Sequence, residues 1–288
     1  MRFHLAAFGL AAAVWASPAT SSTYMMFERT TDAGRGAEVA FRTYANFAGL
    51  TGNAPSGPDQ FSPINVTSNF NTTGLAWDGS QFIMMFERTT DAGGGAEVAF
   101  RTYANAAALT GNVPSGPDQF SPINVASNFN TTGLDWDGSQ FIMMFERTTD
   151  AGGGAEVAFR TYSSFADLVG NVPSGPDQFS PINVASNFNT TGLDWDGSQY
   201  VMMFERTTDA GGGAEVAFRT YASFTDLVGN VPSGPDLFSP INVASTFDTT
   251  GLATVWSAAP PPTGVPEPAT LALLALGLAA LAAARRTA

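Results

Sequence analysis

The chain has 288 residues, a formal charge of −13 and no cysteine. It has no lysine either, and its one histidine is His4, near the start. These absences exclude a Ser-His-Asp triad, His-ligated zinc, thiol nucleophiles, Schiff-base lysines and a P-loop. Carboxylates, hydroxyls and arginine are the chemical groups that remain.

Residues 1–20 read as a secretory signal helix. Arg2 supplies the positive start and Leu5 to Val14 the apolar core. Val14-Trp15-Ala16 and Ser17-Pro18-Ala19 are both small-residue cleavage sites, and the sequence does not choose between them. The body then runs over 24–257. Nine arginines face 24 acids between Tyr24 and Val265, a balance that repels nucleic acid. No nucleic-acid partner is expected.

The body is one 59-residue unit read four times. Met-Met-Phe-Glu-Arg-Thr-Thr-Asp begins at Met25, Met84, Met143 and Met202. Copies two and three differ at seven of 59 positions, so sameness between copies reports recent duplication rather than functional constraint.

Strands are legible within the unit. Thr131 to Trp136 forms a first strand, and Asp137-Gly138 is a hairpin signal because glycine accepts the positive φ of a tight turn. Gln140 to Glu146 is almost continuously apolar, which suits a strand covered on both faces. Gly152-Gly153-Gly154 marks the next turn. Glu156 to Tyr162 alternates, with Val157, Phe159 and Thr161 on one face. Phe165 to Leu168 suggests a helical turn, and Ile182 to Ala185 a fourth, outer strand. The fold class expected is all-β: a four-bladed β-propeller with four strands per blade. The body starts in mid-hairpin at Tyr24-Met25, and the missing first strand reappears as Asp248 to Leu252. Pairing these ends would close the ring and leave no open edge. One position breaks the pattern, since the period predicts Trp at 254, where Thr254 stands, and Trp256 follows.

Four constellations bear on chemistry. Asp135 and Asp137, repeated as Asp194 and Asp196, could hold a calcium ion, but the same residues make a hairpin turn, and the first copy has Ala76. No cofactor is otherwise expected. Adjacent Glu-Arg pairs at 28–29, 87–88, 146–147 and 205–206 point to opposite faces and suggest ion pairing across strands or blades. The Gly93-Gly94-Gly95 turn lacks the helix and lysine of a phosphate loop. The methionine pairs read as core. The blade pattern loosely resembles furanosidase-like and sialidase-like propellers, but no catalytic position carries over. Near-identical blades place identical groups around an axis. A glycosidase needs an acid and a nucleophile of different pKa. The expectation is therefore no enzyme.

After a Pro-rich linker (258–264), the chain ends in Val265-Pro266-Glu267-Pro268, an apolar run from Ala269 to Ala284, and Arg285-Arg286. This tail resembles the PEP-CTERM sorting signal. The resemblance implies a transmembrane helix in 265–288 and recognition by an exosortase through Pro266, Glu267 and Pro268. It also implies cytoplasmic retention of Arg285 and Arg286. A membrane-anchored precursor, then surface or matrix location in a Gram-negative bacterium, follows from it. The expected role is a non-catalytic binding or structural module, polysaccharide being the ligand suggested by Asn130-Thr131-Thr132 near the axial mouth. The alternatives are a carboxylate-dependent carbohydrate-active enzyme and a cation-bridging matrix protein.

Overall fold

A computed structural model describes residues 21–29, 38–64, 70–88, 97–123, 129–147, 156–182, 188–206, 215–241 and 247–256. The signal segment, the triple-glycine turns and the tail lie outside them. Among the described residues no helix is long and apolar enough to cross a membrane.

The described residues form sixteen strands in four antiparallel four-stranded sheets. The second sheet is the simplest: β4 (Phe70–Trp77), β5 (Phe82–Arg88), β6 (Val98–Tyr103) and β7 (Gln119–Ser121), in that order. The third holds β8 (Phe129–Trp136), β9 (Phe141–Arg147), β10 (Val157–Tyr162) and β11 (Gln178–Ser180). The fourth holds β12 (Phe188–Trp195), β13 (Tyr200–Arg206), β14 (Val216–Tyr221) and β15 (Leu237–Ser239). The first joins the two ends of the body. Its order is β16 (Phe247–Val255), β1 (Ser22–Arg29), β2 (Val39–Tyr44), β3 (Gln60–Ser62). Ser22 pairs with Val255 and Arg29 with Phe247, so the expected closure is the observed one.

The innermost strands β4, β8, β12 and β16 surround the axis. Each carries a glycine where it meets the next. A Cβ on Gly74 would fall 2.9 Å from the backbone nitrogen of Leu134; the same approach recurs at Gly133, Gly192 and Gly251, the last against Leu75. This close approach closes the ring. The second strands are buried on both faces, and every methionine of the Met-Met pairs is fully buried. Four apolar clusters fill the gaps between neighbouring blades. Gly79, Gly138 and Gly197 have φ of +93° to +95°, as the Asp-Gly turns require.

One reading is corrected. The outer strand is Gln178–Ser180, not Ile182 to Ala185. Ile182 is buried, and residues 183–187 lie outside the described set. Ser180 Oγ reaches across to the Leu227 carbonyl of the next blade at 3.4 Å, and Ser62, Ser121 and Ser239 do likewise. The edge strand is short, which blunts edge pairing. The segments that vary between copies are the starts of short helices: α1 (Phe47–Thr51), α2 (Ala106–Thr110), α3 (Phe165–Gly170) and α4 (Phe224–Gly229). Asn46 and Asn105 cap the first two, Ser164 and Ser223 the others, so the changes exchange one N-cap for another.

Thr254 has its own explanation. In three blades the equivalent Trp packs on an aromatic ring, as Trp136 does on Phe141 at 4.6 Å between centroids. In the closing blade Thr254 Oγ1 lies 2.9 Å from Thr23 Oγ1. Trp256 instead lies against the Asp-Gly turns of two other blades, its Cη2 3.3 Å from where a Cβ on Gly138 would be.

Candidate functional site

At the end of the axis where the innermost strands begin, a cavity of about 690 Å³ opens. Its lining is one set of residues taken four times: the Glu-Arg ends of β1, β5, β9 and β13, and the Asn-Thr-Thr starts of the innermost strands. The last set departs once, with Asp248 in place of Asn.

Four threonine pairs link the inner strands to one another around the axis. Thr73 reaches Thr131 at 2.7 Å, Thr132 reaches Thr190, Thr191 reaches Thr249, and Thr250 returns to Thr72 at 2.8 Å. A bulge in each inner strand, as between Thr131 and Gly133, turns both threonines toward neighbours. The first threonine of each pair also donates its backbone N–H and its hydroxyl to a glutamate of the preceding blade. Glu28 holds Thr72, Glu87 holds Thr131, Glu146 holds Thr190 and Glu205 holds Thr249. Thr249 Oγ1 donates to Glu205 Oε2 at 2.7 Å. A hydroxyl has one proton to give. With that proton on the glutamate, the second threonine must donate around the axis, which fixes one sense of direction.

Burial pushes Glu28, Glu87 and Glu205 up to about 7, against the threonine hydrogen bonds that pull the other way. Glu146 is raised for the same reason. The sign for stability follows. Above their ordinary value of 4.5 these carboxyls keep their protons in the folded state and lose them in the unfolded one. Stability is therefore greatest below about 4.5 and falls as pH rises through 7. We predict a higher melting temperature at pH 5.5 than at pH 8.5. Glu87→Gln, whose amide oxygen can still accept from Thr131, should raise the melting point at pH 8.5 and leave it unchanged at pH 5. An equal effect of the substitution at both values would refute this.

Among the described residues the adjacent arginines form none of the ion pairs expected of them. The guanidinium groups of Arg29, Arg88, Arg147 and Arg206 lie 5.3–5.4 Å over the rings of Phe247, Phe70, Phe129 and Phe188. Their Nε atoms are buried without a hydrogen-bond partner. The ion pairs among the described residues belong to the other arginines. Arg42, Arg101, Arg160 and Arg219 each grip an aspartate through two nitrogens at 2.6 and 2.7 Å, Asp59, Asp118, Asp177 and Asp236 in turn. Beyond the cavity arginines, exposed Phe61, Phe120, Phe179 and Phe238 stand edge-on to the ring-bearing phenylalanines, 6.2–6.4 Å between centroids.

The suspected cation residues are at the opposite end. Asp137 and Asp196 each serve their own turn. Asp137 Oδ1 accepts from Ser139 and Gln140, and Oδ2 accepts from Tyr200 and the Gln140 side chain. Asp135 and Asp194 are buried together on the axis. Asp194 accepts from the N–H and hydroxyl of Thr254, at 2.7 and 2.6 Å, and burial raises it to about 7. Asp135 accepts from the N–H groups of Trp195 and Trp136, keeps an unpartnered Oδ2, and is raised further by burial and by Asp194. Among the described residues no cluster of three or more metal-ligating acids occurs.

Fold and site together define a four-bladed β-propeller with an axial cavity at the mouth end. Residues 264–286 match the PEP-CTERM protein-sorting motif, which implies export, anchoring in the membrane and processing by an exosortase. No curated protein matches the chain. Among solved structures it is similar to prolyl oligopeptidase B from Galerina marginata bound to a hydrolysis and macrocyclization substrate, at 9% identity and a TM-score of 0.18. That match covers 70% of this chain and 32% of the other, and at such a score it bears on neither fold nor activity.

Proposed function

We propose that this protein is a non-catalytic binding module of the cell surface or extracellular matrix, taking a glycan at its axial mouth. The observation that supports this reading is the lining of the cavity. Asn71, Asn130 and Asn189, with the threonine pairs beside them, present amides and hydroxyls around one axis. Aromatic rings flank the arginines outside it. Sugars are bound by this combination of planar polar groups and apolar faces. The four glutamates have matching partners and shift in the same direction, which does not supply the unequal acid and nucleophile of a glycosidase. The test is binding of the purified chain to an array of polysaccharides, with product analysis alongside. Binding without cleavage is the expected result; release of reducing ends would overturn it.

Hydrolysis has one observation in its favour. Asp248 breaks the symmetry beside Glu28 and Glu205, and burial raises its own carboxyl. If hydrolysis is found, Asp248→Asn should abolish it.

The tail carries a separate prediction. Replacing Pro266, Glu267 and Pro268 together by alanine should leave the tail uncut, so that intact mass of protein from the membrane fraction retains residues 269–288. Processing at the normal mass would show that these three residues do not carry recognition.

A further inference from the structure

The fold contains two rings of arginines, and among the described residues only one has its carboxylates. In both, the guanidinium group lies over a phenylalanine ring, at 5.1–5.2 Å in one and 5.3–5.4 Å in the other. In the outer ring, Asp59 and its three equivalents fill the fork of each guanidinium. In the inner ring no carboxylate of the described residues does so. The groups that neighbour it in sequence, Glu28, Glu87, Glu146 and Glu205, have an oxygen committed to threonine. Four cations therefore line a cavity with buried donors unmet, and an unmet buried donor is costly.

We propose that the axial cavity is an oxyanion site that takes the carboxylate of an acidic sugar, gripped by Arg29, Arg88, Arg147 and Arg206. This rests on the glycan reading of the same cavity and names the class of glycan. A guanidinium is planar and forks its donors to match a carboxylate's two oxygens. The asparagines and threonines then meet the sugar hydroxyls. The net negative charge of the protein disfavours a polyanion lying along the surface, whereas one acidic residue at a chain end can enter a small positive cavity. The volume suits a small saccharide.

Charge in the cavity should change with pH in a stated direction. The groups that bear on it are the four arginines, the four ring glutamates, Asp248, and Glu38, Glu97, Glu156 and Glu215, which act on the ring glutamates by charge. Arginine stays charged throughout. Glu28, Glu87 and Glu205 lose their protons as pH rises through about 7, burial raises Glu146 as well, and a negative ring would then repel the ligand. Affinity falls as pH rises.

The experiment is calorimetric titration of the full-length chain in mild detergent with sodium glucuronate, glucose and sodium sulfate, at pH 5.5 and 8.5. Glucuronate should bind at pH 5.5 and about tenfold more weakly at pH 8.5, a difference on the order of 1.4 kcal/mol. Glucose should not bind. Arg88→Gln should weaken glucuronate about tenfold with an unchanged melt, and Glu87→Gln should reduce the pH dependence of binding. Should Arg88→Gln not fold, the Glu87→Gln result and the glucose comparison still decide. Equal binding of glucose and glucuronate would overturn the anion site and leave glycan binding standing. Sulfate binding with no response to glucuronate would remove the sugar and leave an anion site. No heat from any of the three, with a blank polysaccharide array, would overturn both.

Discussion

Ending the chain at Thr246 should abolish its cooperative unfolding, while ending it at Ser257 should leave one sharp thermal transition. The first truncation removes β16 and with it the partner of β1 along its whole length. It also removes the Thr23–Thr254 bond, the Thr249 that satisfies Glu205, and the Leu252 that packs against Gly192. A ring lacking one of four inner strands has an axis open to water and an unpaired apolar edge. Size-exclusion chromatography should show dimers or aggregates formed through that edge. If the Thr246 truncation melts cooperatively at the temperature of the longer one, strand closure is not what holds the ring.

Gly74→Ala should destabilise the protein by about 3 kcal/mol, because overpacking a well-filled core costs this much when backbone must move. The added Cβ would meet Leu134 Cβ and N and Met85 Cε, all at 2.9 Å. Met85 can bend away, but the Leu134 backbone belongs to the next inner strand and is fixed by ring closure. Gly116→Ala is the control, since a Cβ there meets nothing within 4 Å. It should be neutral or slightly stabilising through the unfolded chain. Urea denaturation of the two variants separates the effects. A neutral Gly74→Ala would mean that the blades can slide apart at no cost.

The inner three strands of each blade were legible because their chemistry is local. Phe141 to Phe145 is apolar without alternation, Val157 to Tyr162 alternates, and Asp137-Gly138 joins strand to strand. Closure was legible from phase, since the body opens without the strand on which it ends. The outer strand was not. Gln178-Phe179-Ser180 looks polar because an edge must be, and the more apolar Ile182 is drawn into the gap between blades instead. The cavity was legible only in part. Asn130-Thr131-Thr132 was placed correctly at the mouth. The partners of Glu87 and Arg88 were not, because they lie on other strands, one in the next blade and one in the same blade. Glu87 meets Thr131, 44 residues away, and Arg88 stacks on the Phe70 of its own inner strand. An adjacent Glu-Arg pair suggests an ion pair only while those other partners are unknown. Asp135 and Asp137 were grouped by spacing, yet one is sealed on the axis and the other serves its turn.

The direction of β16 has a consequence for how the protein stands. That strand leaves the mouth at Asp248 and ends at the base beside Trp256, and β1 begins there too, with Ser22 opposite Val255. The sorting motif begins at residue 264. From Trp256 to the apolar run at Ala269 the link can reach no more than about 45 Å even when fully extended. An anchor in that tail would attach at the base, and the arginine-lined opening lies at the other end of the propeller. A precursor attached that way would leave its proposed binding mouth open to solutes before any processing.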